Sequence, residues 1–233
     1  MKKPKDLPQK IAILKNVPFF KGVSNSVLKK ICEKLSENKF RRGQYLYWEG
    51  DPSDRLYVIR EGKVKITKCS SAGKEMVLEI VSAGEICGGS AIFSHAPLAS
   101  ARAVEHVSAY SLSKKDFVQL LRNHNNLAIH FIMYLGEKLM QTHEMMLSLA
   151  TSKVEKRIAA LLMGLCEKHG SAVPQGIRIN LRLTRQDIAD IVGTTVETAI
   201  RVMSRFRKQG ILTTESKHIV ITSKDKLNKL LVG

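Results

Sequence analysis

Twenty-eight residues near the end of the chain, LTRQDIADIVGTTVETAIRVMSRFRKQG from Leu183 to Gly210, limit the fold more than any other stretch. They spell two short helices around a tight turn. Thr184 is a good N-cap, and Asp187 three residues on closes a capping box, its carboxylate in the first turn where the helix dipole favours negative charge. Ile188, Ala189, Ile191 and Val192 recur at helical spacing, and Gly193 is the stop, since glycine ends a helix in the left-handed conformation without steric cost. Thr194 or Thr195 caps the second helix, whose Val196, Ala199, Ile200, Val202, Met203 and Phe206 supply its apolar contacts. Glu197 and Arg201 remain, four apart, on an exposed face near the N-terminal end. A helix-turn-helix presents such residues to base edges in the major groove, where Arg pairs with guanine O6 and N7 and Glu accepts from cytosine N4. The plainer reading is an i,i+4 surface ion pair worth a few tenths of a kcal/mol. The capping box, the Gly193 turn, the companion helix and the trailing IVIT strand of a winged version together favour the DNA-reading one.

Composition agrees with that partner. The 233 residues carry a formal net charge of +17, a field that favours nucleic acid or an anionic membrane face. Segment 153–233 holds 15 Lys and Arg against 7 Asp and Glu, so about half of the excess lies outside the DNA-reading part. Clusters such as Lys2, Lys3, Lys5 and Lys39, Arg41, Arg42 read as solvated surface that widens the electrostatic footprint. No run approaches the ~20 apolar residues that span a bilayer, and the lysine-rich start has no apolar signal core behind it. A cytoplasmic protein with no membrane partner is expected. Cys32, Cys69, Cys87 and Cys166 are scattered without a CxxC or Cys/His pairing, which argues against a metal site or a four-cysteine cluster. Buried free thiols are expected for all four, with one redox-responsive cysteine such as Cys87 as the alternative.

Residues 10–38 hold two helical patterns broken at Pro18-Phe19-Phe20-Lys21-Gly22, with Ser24 as the cap of the second. From Phe40 to about Leu112 the texture turns to short β-type runs punctuated by glycine, the spacing of a sandwich or barrel. LYVIREGKVKIT reads as the clearest hairpin, Leu56, Val58 and Val64, Ile66 alternating around Glu61-Gly62. MVLEIVSAGE supplies another strand and turn, and AVEHVSAYSLS a closing strand. The fold class predicted is α+β: an N-terminal antiparallel β-roll, cupin-like and of the cyclic-nucleotide-binding type, with room for one small ligand. Ser113 caps a helix through Lys114–Arg122, and a longer helix runs from about Asn126 to Thr151. Within it Ile132, Leu135, Leu139, Thr142, Met146 and Leu149 alternate at spacings of three and four, an a/d seam that predicts a dimer. Next come the helix VEKRIAALLMGLCEKHG, the loop SAVPQG leading into INLRLT, a strand pair, the helix-turn-helix and a wing around ILTTESKHIVIT. The division expected is 1–125 for the sensor roll with its flanking helices, 126–152 for the dimer helix and 153–233 for the winged helix-turn-helix.

The order roll, long helix, winged helix-turn-helix resembles the CRP/FNR family of bacterial transcription regulators over nearly the whole chain. RRGQYLYWEGDPSDRLYVIREGKVKI, GEICGG at 84–89 and TRQDIADIVGTTVETAIRVMSRF carry the resemblance. It implies that Thr184, Arg185 and Gln186 touch the DNA backbone and that Glu197 and Arg201 read bases. Thr194, Thr195, Val196, Thr198, Ile200 and Arg205 complete the expected DNA-binding set. It further implies double-stranded DNA with palindromic half-sites containing a TGA core, a second copy of the chain, and RNA polymerase as partners, and no enzymatic activity. Val196 stands where the cyclic-AMP receptor branch has arginine, GTTVET looks like the FNR branch, and Ile200 replaces a serine common there. FNR proteins carry an N-terminal cysteine cluster, whereas the first 31 residues here hold no cysteine, so an iron–sulfur cluster is not expected.

The expected effector pocket is Gly84, Glu85, Ile86, Cys87, Gly88, Gly89, Ser90, Ile92 and Phe93. In the cyclic-nucleotide branch a glutamate binds the ribose and an Arg-Ser or Arg-Thr pair the phosphate. Here Gly89 takes the glutamate position, and Arg102 is followed by Ala103, in register with the next strand. A buried phosphate without such partners keeps most of its desolvation cost, so cyclic AMP is not expected. A hydrophobic effector, an acidic ligand held by backbone N–H groups after Gly88, haem held by one of His95, His106, His124 or His130, and no ligand at all stay open. So do a thiol-controlled regulator and, in a different class, a nucleotide-sensing subunit of an enzyme or channel.

Overall fold

The computed structural model describes residues 7–52, 54–71, 73, 75–89 and 96–232. The chain divides into two compact units, Met1–Met140 and Gln141–Gly233. In the first, helices α1 (Leu7–Lys15) and α2 (Asn25–Lys34) flank a 3-10 turn at Pro18–Phe20. The fixed φ of Pro18 suits the turn's start, and the two phenylalanines behind it are driven inside. Phe19 lies 5.8 Å from Phe117 and 5.2 Å from Phe131, edge-on to both. What the sequence marks as a break is therefore the centre of a core. Ser24 is the α2 N-cap, but its hydroxyl bonds Ser26 at 3.0 Å rather than a backbone N–H.

Among the described residues eight strands follow: β1 (Ser36–Phe40), β2 (Tyr45–Tyr47), β3 (Arg55–Glu61), β4 (Lys63–Cys69), β5 (Glu75–Ser82), β6 (Ile86–Cys87), β7 (Ser100–Ala103) and β8 (Val107–Ser113). They form two antiparallel sheets, ordered β1-β8-β3-β6 and β2-β7-β4-β5. The hairpin predicted for LYVIREGKVKIT is overturned. β3 pairs with β6 and β8, β4 with β5 and β7, so the chain changes sheet at Glu61-Gly62. Gly62 makes that corner at φ +83°, and a Cβ there would lie 2.2 Å from the His106 carbonyl oxygen. Only glycine fits both demands. β3 is moreover buried on both faces. Tyr57 and Ile59 join Val64, Cys87, Ala101 and Ala109 between the sheets. Leu56 and Val58 instead pack with Tyr110, Leu112 and the helical residues Phe19, Leu28, Phe117 and Phe131. The alternation read as one inward face thus spans two cores, and the strand appears in sequence as a continuous apolar run.

Ser113 caps α3 (Lys114–Asn123) by accepting from the Asp116 N–H at 3.1 Å. Helix α4 (Asn125–Thr151) buries Leu127 and Phe131 near its start, and Lys138 forms an ion pair with Glu79 of β5. Beyond that, its apolar side chains face outward. Ile132, Leu135, Leu139 and Met146 are exposed, as are Met133, Met140 and Leu147. Ile132, Leu139, Met146 and Met133, Met140, Leu147 each repeat every seven residues, so the uncovered stripe is wider than the a/d seam alone. Leu149 differs from the other seam residues, since its Cδ2 lies 3.0 Å from where a Cβ on Gly193 would sit.

The second unit contains α5 (Val154–His169), β9 (Gly170–Val173), β10 (Gly176–Ile179), α6 (Arg185–Val192), α7 (Val196–Lys208), β11 (Leu212–Glu215), β12 (His218–Ile221) and α8 (Lys224–Val232). Its sheet runs β11-β12-β10-β9. The strand pair expected ahead of the helix-turn-helix is present, but it takes in most of the segment read as the loop SAVPQG. SAV and GIRI pair across Pro174-Gln175, with Gly176 opposite Val173. Gly176 at φ +143° lets the chain turn against the Ile221 carbonyl, a conformation that the loop reading did not foresee. α8 has no counterpart in the sequence reading. Its signals are Ser223 before it, Asp225 in its first turn and the buried Leu227.

Candidate nucleic-acid interface

The capping box at the start of α6 is complete. Thr184 Oγ1 accepts from the Asp187 N–H at 3.0 Å, and Asp187 Oδ2 accepts from the Thr184 N–H at 2.9 Å. Ile188, Ala189 and Val192 are buried. Gly193 ends the helix at φ 65°, ψ 52°, the left-handed turn foreseen for it. Of the two candidate caps for α7 it is Thr195 whose side chain accepts from the Thr198 N–H. Ala199, Val202, Met203 and Phe206 form the buried stripe of α7, whereas Ile200, expected among its apolar contacts, is 47% exposed. Its position three residues after Glu197 and one before Arg201 puts it on the open face with them. Glu197, Ile200, Arg201 and Arg205 are all exposed there, while Thr194, Val196 and Thr198 are half-buried.

A residue that the sequence reading passed over holds this arrangement. Arg157 of α5 donates from Nε to the Val192 carbonyl at 2.9 Å, from one terminal nitrogen to Ser152 at 2.7 Å and from the other to Gly193 at 3.3 Å. One guanidinium fork thereby fills the orphan carbonyls at the end of α6 and fixes the turn that aims α7. Its sequence signal is weak, because an arginine on a helix face looks like any solvated charge. Of the three residues expected at the DNA backbone, Thr184 is committed to its cap. Gln186 donates to the buried Asp190 at 2.7 Å. Arg185 is half-buried, and burial, then the neighbouring Arg207, lowers its pKa. Both effects disfavour an isolated cation and favour an anion placed against it.

In the roll, the structure describes Gly84 to Gly89 of the expected pocket; Ser90, Ile92 and Phe93, like His95, lie outside the described residues. Gly88 has φ +87°, and a Cβ there would lie 2.9 Å from the Arg55 carbonyl oxygen and 3.4 Å from the Tyr47 ring. Cys87 faces the space between the sheets, its Sγ 3.4 Å from the Tyr47 hydroxyl. Burial pushes its pKa up to about 12. Ile86 instead joins the helical core, and the Glu85 carboxylate accepts from the Ser82 N–H at 2.8 Å. Arg102 stands in the strand ladder between Tyr45 and Lys65, 5.8 Å over the Tyr45 ring and 3.8 Å from Glu75. Cys32, Cys87 and Cys166 are buried thiols, but Cys69 is exposed, at the strand end where a side chain has solvent beside it. Among the described residues no cluster of three or more His, Cys, Asp or Glu has metal-binding geometry, and no helix is long and apolar enough to cross a membrane.

Residues 37–124 match the cyclic nucleotide-binding domain family, and residues 156–230 the Crp-like helix-turn-helix domain family. The chain is 28% identical over 216 residues to a CRP-like cAMP-activated global transcriptional regulator of Mycobacterium tuberculosis, covering 92% of this chain and 96% of that protein. It is 29% identical over 190 residues to the fumarate and nitrate reduction regulatory protein of Escherichia coli K12, covering 82% and 76%. A mutant of CooA from Carboxydothermus hydrogenoformans shares the fold, with a TM-score of 0.73 at 21% identity over 94% of this chain and 95% of that one.

Proposed function

The chain belongs to the CRP/FNR family, whose members are DNA-binding transcription regulators and not enzymes, and from that premise we propose that it acts as a homodimer reading a palindrome through Glu197, Ile200 and Arg201. The observation that carries this reading is the open face of α7, exposed at those three positions and aimed by the Arg157 fork. The exposed heptad stripe of α4 supports the dimer, with Ile132 at 67% and Met140 at 65% accessible. Apolar surface repeating every seven residues is what a partner helix covers. A two-fold dimer places its recognition helices about one turn of DNA apart, so half-sites lie ~10 bp apart. The division 1–125 for sensing, 126–152 for pairing and 153–233 for reading is part of the proposal.

The roll receives the signal and biases the paired helices between two arrangements. We assign it an effector other than cyclic AMP. Gly89 supplies no ribose acceptor, and Arg102 is engaged with Glu75 and Tyr45. The mycobacterial relative, named for cyclic AMP, sets the opposite expectation. The burial of Cys87 speaks against control through that thiol.

Electrophoretic mobility shift with the palindrome and a scrambled duplex at ~0.15 M salt tests the reading. Wild type binds the palindrome in preference, and Arg201→Ala loses about 1–3 kcal/mol at the contacted guanine. Leu139→Asp sediments as a monomer, and added cyclic AMP leaves affinity unchanged. Equal affinity of wild type for both duplexes would defeat the assignment, and a cyclic-AMP-dependent gain would overturn its effector clause.

A further inference from the structure

A shallow groove lies beside the open face of α7, lined by Lys153 and Glu155 from the start of α5 and by Thr198, Arg201 and Arg205. Three cations share it with one carboxylate. The Arg205 guanidinium is bound to Glu155, and both side chains remain open to water, at 51% and 35% accessible. So exposed a pair contributes little to stability. The buried Ile158, Ala159 and Leu162 of α5 and Val202 and Phe206 of α7 hold their helices without it. Position along α7 gives the pair another meaning. Arg205 lies about 6 Å further along the axis than Arg201 and about 12 Å beyond Glu197. Residues at the helix start reach base edges, so a cation two turns back meets the wall of the groove, where the charge is phosphate.

We propose that Glu155 occupies, in the free protein, the place on Arg205 that a backbone phosphate of bound DNA takes, with Lys153 as the second cation at that phosphate. This rests on the reading of α7 as the recognition helix. The exchange replaces one carboxylate by a phosphate and releases counterions from the duplex. Glu155 therefore weakens binding to every sequence alike, without touching a base.

The test is the salt dependence of binding by the intact protein, followed by fluorescence anisotropy on the palindrome and on a scrambled duplex. Arg205→Gln and Lys153→Gln each flatten the slope of log K against log salt by about 0.9 on both duplexes. Glu155→Gln tightens both by about threefold, leaving the ratio between them unchanged. Thermal melting of each variant separates these effects from unfolding, since a surface pair of this kind leaves the melting temperature nearly in place. Weaker binding by a folded Glu155→Gln would overturn the proposal, as it would mean that the carboxylate positions Arg205. Unmoved slopes for Arg205→Gln and Lys153→Gln, with discrimination intact, sink the phosphate site alone. Loss of discrimination in wild type sinks instead the reading of α7.

Discussion

The DNA-reading unit and the roll reach their folds by contacts of different range. In the first, Thr184 answers Asp187, Thr195 answers Thr198, and Gly193 turns the chain between them, all within four residues. In the second, Ser36 lies opposite Ser111, Tyr45 opposite Arg102 and Val64 opposite Ala103. Short contacts are written in the order of residues. Long ones depend on loop closure and on which of several apolar runs becomes the neighbour. Strand pairing in the roll is therefore hidden in the sequence where the caps of the DNA-reading unit are legible, and the largest costs of mutation should fall in the roll.

The sharpest way to break this contrast is at the corner between β3 and β4. Gly62→Val forces a β-branched residue into positive φ and its Cβ into the His106 carbonyl. A loss of about 3 kcal/mol or more follows from strain and overlap together. Hydrogen exchange on the variant should show the loss in amides of β3, β4 and β8, with α6 and α7 still protected. Equal loss of protection in both units would mean that the roll and the DNA-reading unit do not differ in the way described.

A smaller effect distinguishes the roll by pH. Cys87 is held near 12 by burial, whereas an unfolded thiol ionises near 8.5. Above that pH the unfolded chain gives up a proton that the folded chain keeps, so stability is complete below about 8.5 and declines as pH rises towards 12. The slope is at most about 1.4 kcal/mol per pH unit for one group. Urea titrations at stepwise higher pH should show the decline in wild type and a shallower one in Cys87→Ala.

The smallest expected effect belongs to the locally determined unit. Thr184→Ala removes one cap and should cost about 1 kcal/mol. Exchange at the first-turn amides of α6 should accelerate with little change elsewhere. A cost as large as that of Gly62→Val would show that the cap supports far more than its own helix.

The same division explains what was legible. The capping box, the left-handed Gly193, the Thr195 cap, the β11–β12 wing and the Ser113 cap all follow from neighbours in sequence. The exposed seam of α4 was legible because periodicity survives without knowledge of the partner. The corner at Gly62 was not, since Glu61-Gly62 between two alternating runs has the signature of a hairpin turn, and only the pairing with β6, β7 and β8 tells otherwise. Arg157 was missed for a related reason. Its three acceptors are main-chain carbonyls, which leave no trace in residue identity. Ile200 has the chemistry of the apolar face, but its place on the helix turns it outward. The extent of the strand pair was hidden because Gly176 reads as a loop until its closeness to Ile221 is known.

Those carbonyl acceptors also shape what mutation can do to the reading head over generations. Substitution at position 152 or 192 leaves an acceptor oxygen on the backbone, since every residue type carries one. The same holds at 193, where the constraint is conformation rather than hydrogen bonding. The three bonds that aim α7 therefore present one genetic target for loss, codon 157. Lysine there restores the charge but not the fork, and could serve only part of the set. The aiming device is thus broad in its physical reach and narrow in its mutational target: its acceptors survive any change of side chain, and only the donor at 157 can be lost.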